Sequence, residues 1–450
     1  MTVLHAELTV AEAAERIRRG TLSPVALVEA CLSRIDSLEE KVQAWVTVDR
    51  DGAISAARQC EREAGRGQFR GPLHGIPVAV KDIFYVAGLR CTAGSKVLPD
   101  FIAPFDATCI ARLRQAGAII LGKAQTTEFA TFDPAPTHNP WKPNHTPGGS
   151  SSGSAAAVAA RMVPCALGTQ TAGSILRPAS YCGVVGYKPT YGRVSRYGVF
   201  PVSWALDHIG AMARTVEDVA LVVQAMAGHD PKDPGSFRGP VPDLRACLGR
   251  REPPRLGVVR DFFWKRAAPE VARHTDAALQ RLAKAGARIE ERRLAPSFAV
   301  GHAAHRTVMK SEMAEVHRDR YKTAADKFGP KIRAAIEAGM LIGAEDYFRA
   351  LRLRRQFAED LWALAATVEA LVTPSTPTPA PAGLGSTGDP AFQQPWTFAG
   401  MPTVTVPSGL SEAGLPLGIQ LIASPMRDAE VLGAAAWCER ALGALPAPPL

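Results

Sequence analysis

Two serines and one lysine carry the most reactive chemistry in this sequence. Ser150 and Ser174 each lie in a loop of small residues, and Lys81 directly follows an apolar run at 76–80. An apolar run of this length is typical of a buried strand. A serine hydroxyl is a weak nucleophile until a base removes its proton. The sequence therefore indicates a serine hydrolase whose base is a lysine at the end of a core strand.

Lysine can act as this base only in its neutral form, and its usual pKa is about 10.4. Burial among apolar side chains disfavours the ammonium ion and lowers the pKa by several units. A shift of about three units corresponds to a free-energy cost of roughly 4 kcal/mol. We predict a neutral Lys81 as the general base, Ser150 as the hydroxyl that relays the proton, and Ser174 as the nucleophile.

The loop that ends at the predicted nucleophile consists of Thr171, Ala172, Gly173 and Ser174. Small residues let a substrate carbonyl approach the backbone closely. One fixed hydrogen-bond donor to a developing oxyanion lowers the reaction barrier by roughly 3 kcal/mol. The sequence therefore predicts an oxyanion hole formed by the backbone N–H groups of these four residues.

Three stretches of the sequence resemble the amidase signature family. Residues 148–154 read GGSSSGS, residues 168–174 read GTQTAGS, and residues 182–190 read CGVVGYKPT. The resemblance implies an α/β fold with a mixed central β-sheet covered on both faces by helices. It also implies a Ser-cisSer-Lys triad in which Ser174 receives the acyl group, Ser150 follows a cis peptide bond, and Lys81 is the base. The resemblance implies no cofactor and no metal.

Several positions near the triad depart from the family pattern. Ser152 and Ala172 replace glycine, Gln170 replaces aspartate, and Arg177 stands one position late, behind Leu176. None of these changes removes a predicted catalytic atom. Because they surround the oxyanion loop, we expect them to influence the substrate preference.

The resemblance places the acyl pocket near residues 125–133, where Phe129 and Thr131 are candidate substrate-binding residues. A core role for Phe129 is about as well supported. Gln170 and Trp204 are further candidates for the pocket, and Asp207 is expected to hold the signature loops together.

Length and composition limit the classes of protein that are possible. A chain of 450 residues favours several domains, but the resemblance favours one amidase domain at 1–450. This domain would have a signature core at 66–210 and a partly helical subdomain at 230–370. The net charge of +9 is scattered, which favours a basic surface over nucleic-acid binding. The eight cysteines are irregularly spaced, which indicates reduced thiols.

The first 15 residues are neither basic nor continuously apolar, so we predict no signal peptide. No apolar run approaches the roughly 18 residues that a membrane span needs. These observations predict a cytoplasmic protein without a membrane partner.

Other motif-like patterns lack the context that their functions require. Residues 149–153 approach GxSxG but follow a proline-rich stretch, not a strand. Residues 117–123 resemble a P-loop, but Ala124 occupies the position of the metal-binding hydroxyl. GxGxxG at 383–388 also lacks a preceding strand, and neither HExxH nor a Cys/His zinc pattern is present.

The leading hypothesis is a free-standing hydrolase, monomeric or homodimeric, that cleaves small, partly apolar amides, carbamates or esters. Aryl amides and urethanes are its first candidate substrates, and no nucleic acid is expected as a partner. One alternative is the glutamine-hydrolysing subunit of a tRNA-dependent amidotransferase. Another is a catalytically inactive or nucleotide-binding protein of the same fold.

Overall fold

The fold is organised around one mixed β-sheet of eleven strands. The computed structural model describes residues 5–450, so the first four residues of the segment tested for a signal peptide lie outside the described part. In chain order the strands are β1 Trp45–Val48, β2 Pro77–Lys81, β3 Ile119–Ala124, β4 Cys165–Gln170, β5 Val185–Lys188, β6 His208–Ala213, β7 Arg255–Val259, β8 Arg288–Arg292, β9 Ala370–Pro374, β10 Thr403–Leu410 and β11 Pro416–Ile422. Their order across the sheet is β1-β3-β2-β4-β6-β5-β10-β11-β9-β7-β8.

Helices connect most of these strands. Within the described residues they are α1 Val10–Arg18, α2 Pro24–Val42, α3 Arg50–Ala64, α4 Thr108–Gln115, α5 Ser152–Ala159, α6 Leu176–Cys182, α7 Val216–Met226, α8 Phe263–Arg266, α9 Pro269–Lys284, α10 Phe298–Ala324, α11 Pro330–Met340, α12 Ala344–Ala366, α13 Gln394–Phe398 and α14 Asp428–Leu442. None of them has both the length and the apolar character needed to cross a membrane.

Both faces of the sheet are covered, as alternate residues of its strands show. Val78 and Val80 of β2 belong to one buried hydrophobic cluster, whereas Ala79 belongs to a second. β4 divides in the same way, with Leu167 in the first cluster and Ala166 in the second. Because successive side chains of a strand point to opposite faces, the core lies on both sides of the sheet. The predicted α/β fold is confirmed.

Strand β2 brings the predicted base into the middle of this sheet. It lies between β3 and β4 and runs parallel to both. All five of its residues are buried, and Lys81 is the last of them. The prediction that Lys81 ends a buried strand is confirmed.

The segment at 230–370 contributes to the same sheet through β7 and β8. Its helices α10, α11 and α12 pack against one another through contacts of α10 with the other two. The division of the chain into a signature core and a helical subdomain stays a prediction.

Helix α5 follows the loop of Ser150 and packs closely against the rest of the fold. All eight of its residues are buried. A Cβ atom on Gly153 would lie 2.2 Å from the carbonyl oxygen of Ala44 and 2.4 Å from the backbone nitrogen of Gln125. Backbone atoms cannot turn away as a flexible side chain can. Glycine at this position therefore allows the Ser150 loop to sit beside the sheet.

We expect Gly153→Ala to destabilise the protein by about 1–3 kcal/mol, because overpacking of this size displaces the backbone. The measurement is the melting temperature by differential scanning fluorimetry. Gly249→Ala is the matched control, since a Cβ there would have no atom within 4 Å. Equal melting temperatures for the two variants would contradict the packing argument.

Candidate active site

Lys81 is buried and is held by two hydroxyl groups. Its Nζ lies 2.7 Å from the Oγ of Ser150 and 2.8 Å from the Oγ1 of Thr169. Burial lowers the pKa of Lys81 well below its ordinary value, and the carboxylate of Asp207 opposes this shift in part. The arrangement therefore favours a neutral amine in direct contact with the predicted relay hydroxyl.

The two signature loops meet around this amine. The peptide bond between Gly149 and Ser150 is cis, as the family resemblance implies. Ser151 lies 3.4 Å from both the backbone nitrogen and the carbonyl oxygen of Thr169. Arg177 donates a hydrogen bond of 2.7 Å to the carbonyl oxygen of Gly149. These contacts join the Ser150 loop to the end of β4 and to α6, which follows Ser174.

The four predicted oxyanion-hole residues lie together between β4 and α6. Within residues 5–450, none of the backbone N–H groups of Thr171, Ala172, Gly173 and Ser174 donates a hydrogen bond to another protein atom. Buried backbone N–H groups are almost always paired. An unpaired row beside a serine is therefore the arrangement that a developing oxyanion requires.

Distant parts of the chain hold this loop through its carbonyl and side-chain oxygens. His305 on α10 donates to the carbonyl oxygen of Thr171 at 2.8 Å, and Thr397 on α13 donates to that of Ala172 at 2.8 Å. Burial lowers the pKa of His305 to about 3, so its ring is neutral. The Thr171 hydroxyl donates to Asp207 at 2.6 Å. With its oxygens engaged in this way, the loop is left with free N–H groups.

Ser174 lines a cavity of about 570 Å³. Of the four predicted substrate-binding residues, only Thr131 also lines it. Phe129 is 1% exposed and packs into an aromatic cluster, with its ring 4.5 Å from His317 and 5.1 Å from Phe200. Its position near the motifs therefore reflects the core and not the pocket.

Gln170 and Trp204 are also placed away from the Ser174 cavity. Gln170 is fully buried, and its amide oxygen accepts hydrogen bonds from the N–H groups of Ile175 and Leu176 at 2.8 and 3.0 Å. It therefore supports the first turn after the nucleophile. Trp204 is 49% exposed and lines a second cavity of about 230 Å³, together with Asp207.

Sequence reasoning missed Thr169, His305 and Thr397. Thr169 stands inside the GTQTAGS stretch, so its position two residues before Thr171 was an available signal. His305 and Thr397 lie 134 and 225 residues from their partners. No local pattern marks them, because their role arises only when α10 and α13 pack on the loop.

One group of potential metal ligands forms where none was expected. Atoms of Cys60, Glu63 and His74 lie within 4.8 Å of one another. Glu63 is paired with Arg70, and both ring nitrogens of His74 contact backbone atoms, at 2.9 and 3.3 Å. The carboxylate and the imidazole are thus engaged by protein groups.

The fold and this arrangement define an amide-hydrolysing enzyme class. A family model described as Amidase matches residues 26–432. The chain therefore belongs to the amidase family, whose members act on carbon–nitrogen bonds.

Individual proteins resemble the chain over nearly its whole length. The A subunit of glutamyl-tRNA(Gln) amidotransferase from Geobacter metallireducens is 38% identical and covers 97% of this chain and 97% of its own. The solved structure of the protein of the same name from Thermotoga maritima has a TM-score of 0.82 at 30% identity, covering 99% of this chain and 98% of its own. A structure described as an unexpected vestigial protein complex, revealing the origins of an s-triazine catabolic enzyme, has a TM-score of 0.90 at 32% identity. That alignment covers 98% of this chain and all of the other.

These relatives overturn the leading functional hypothesis from the sequence. The prediction of a free-standing hydrolase of small amides, carbamates or esters, monomeric or homodimeric and without a nucleic-acid partner, is wrong. The similar proteins are named as one component of an enzyme of glutamyl-tRNA(Gln). The departures at Gln170, Ala172 and Leu176 misled the prediction, because none of the three changes the triad that both classes share.

We expect Lys81→Met to abolish amide hydrolysis and to change how stability depends on pH. Burial holds the pKa of Lys81 in the folded protein below its unfolded value of about 10.4. Folding at neutral pH therefore releases a proton, at a free-energy cost that disappears as the pH rises towards the unfolded pKa. The methionine variant does not carry this cost. Its melting temperature, relative to that of the wild type, should fall between about pH 7 and about pH 10. A difference that stays constant with pH would contradict a neutral buried lysine.

We expect Thr397→Val to lower kcat by about tenfold or more with little change in KM, because the hydroxyl supports a loop that acts mainly in the transition state. The measurement is steady-state ammonia release. Thr323→Val is the control, since this exposed hydroxyl contacts only carbonyls of its own helix. A rise in KM at constant kcat would indicate a role in substrate binding instead.

Proposed function

We propose that this chain is the glutamine-hydrolysing subunit of a tRNA-dependent amidotransferase. The observation that carries the proposal is its 38% identity, over 97% of both chains, to a protein named as the A subunit of glutamyl-tRNA(Gln) amidotransferase. In this role the chain works with partner subunits, and the ammonia it releases converts the glutamyl group of glutamyl-tRNA(Gln) into an amide.

The cavity beside Ser174 is suited to such a substrate. Its volume of about 570 Å³ lies within the roughly 300–1,000 Å³ of typical small-molecule sites. Glutamine has a primary carboxamide at the end of a short flexible side chain. That group can reach Ser174 while the rest of the molecule stays in the cavity.

The first half of the proposed reaction forms an acyl-enzyme. Neutral Lys81 takes a proton from Ser150 as Ser150 takes the proton of Ser174. The Oγ of Ser174 attacks the carboxamide carbon, and the free N–H groups of the oxyanion loop stabilise the negative oxygen. The carbon–nitrogen bond then breaks, and the proton returns through Ser150 to the nitrogen, which leaves as ammonia.

The second half regenerates the enzyme. A water molecule gives its proton to the same relay and attacks the ester carbon on Ser174. The ester bond breaks, Ser174 recovers its proton, and glutamate leaves. Each half therefore uses Lys81 first as a base and then, through Ser150, as the source of the proton for the leaving group.

The test uses the full chain, affinity-tagged and purified with its partners from the organism that encodes it. We expect the assembled enzyme to convert glutamyl-tRNA(Gln) to glutaminyl-tRNA(Gln) with glutamine as the nitrogen donor. The Ser174→Ala assembly should lose this activity and retain conversion with ammonium chloride, because only ammonia release requires Ser174. Labelling by a fluorophosphonate probe should disappear in the same variant.

The matched control is Ser37→Ala, at an exposed serine whose hydroxyl contacts only a carbonyl of its own helix. It should behave as the wild type in both assays. Purification of the chain without any partner, together with failure to amidate glutamyl-tRNA(Gln) from either nitrogen source, would refute the proposal.

A further inference from the structure

The charged residues that line the Ser174 cavity all have the same sign. They are Arg177, Arg306, Lys310 and Lys331, and no aspartate or glutamate is among the lining residues. A concave site lined by one sign of charge concentrates ligands of the opposite sign.

Two of these cations are held by neutral oxygens of the protein. Arg177 donates to the carbonyl oxygens of Gly149 and Gly388 at 2.7 and 3.0 Å. Lys331 donates to the carbonyl oxygen of Gly385. Carbonyl oxygens orient these side chains but do not cancel their charge.

The other two cations have no partner in the described part of the chain. The side chains of Arg306 and Lys310 make neither an ion pair nor a hydrogen bond with any of residues 5–450. They are four residues apart on α10, so they lie on the same face of the helix. The adjacent His305 fixes this face on the oxyanion loop through Thr171.

The acidic residues closest to the cavity in the chain are used elsewhere. Asp389, between two lining residues, pairs with Arg266 at 3.3 Å and accepts the N–H of Ala391 at 2.9 Å. Asp133 accepts the N–H groups of Lys331 and Ile332 at the start of α11. Neither carboxylate is among the groups that line the cavity.

We propose that the Ser174 cavity selects carboxamides that carry a negative charge, bound by Arg306 and Lys310, and that it offers no charged group to a substrate ammonium. This inference rests on the proposed amide-hydrolysing function and specifies its substrate class. The best ligand is a monoamide of a dicarboxylic acid. Glutamine meets the requirement with its carboxylate, but its ammonium group opposes binding.

The test compares ammonia release by the full chain from three amides of similar length. Glutaramate is anionic, pentanamide is neutral, and 5-aminopentanamide is cationic. We expect kcat/KM to fall in that order by about tenfold per step, the effect of one charge contact of moderate strength. Increasing salt should compress the differences, because Arg306 is exposed.

A charge reversal provides the decisive variant. Arg306→Glu combined with Lys310→Glu should invert the order, so that 5-aminopentanamide becomes the preferred substrate. The control is Arg318→Glu with Lys322→Glu, two cations with the same spacing on α10 that do not line the cavity. It should keep the wild-type order.

Binding gives the same comparison without turnover. Calorimetry on Ser174→Ala should give a Kd for glutaramate about tenfold below that for pentanamide. Equal Kd values, or an order that the charge reversal leaves unchanged, would overturn the inference. Hydrolysis of glutaramate without hydrolysis of glutamine would support it and refute glutamine as the substrate. Hydrolysis of glutamine with no preference among the three amides would do the reverse.

Discussion

The burial of one amine, that of Lys81, is the constraint on which the rest of this structure depends. An ammonium ion is costly to remove from water, so a lysine enclosed by a sheet and given only hydroxyl partners is driven towards its neutral form. Strand β2 supplies the enclosure because it lies between two parallel neighbours with hydrophobic core on both faces. Ser150 and Thr169 supply the hydroxyls.

The surrounding architecture then has to hold a row of backbone donors without using them. This is done from a distance, through the oxygens of the loop. His305 and Thr397 engage two of its carbonyl groups, and Asp207 engages the Thr171 hydroxyl. Since the first two belong to the second half of the chain, α10 and α13 complete a site whose reactive groups all lie in the first half.

The same helix, α10, also determines the charge of the cavity. His305 faces the loop, while Arg306 and Lys310 line the space where substrate would bind. Positioning of the oxyanion loop and attraction of an anionic ligand thus come from neighbouring residues on one helix. This coupling explains how proteins with the same triad can differ in substrate, because the helix can vary while the two signature loops stay the same.

The sequence by itself determined Lys81, Ser150, Ser174, the oxyanion loop and the α/β fold, since strand-length apolar runs and small-residue loops are local patterns. Only the tertiary structure decided that Phe129 and Gln170 belong to the core and that α10 and α13 cover the loop. The choice between a free-standing hydrolase and one component of an amidotransferase also lay outside the motifs, because both share the triad. Which distant segments meet at a site depends on packing across the whole sheet, and neither periodicity nor spacing along the chain contains that information.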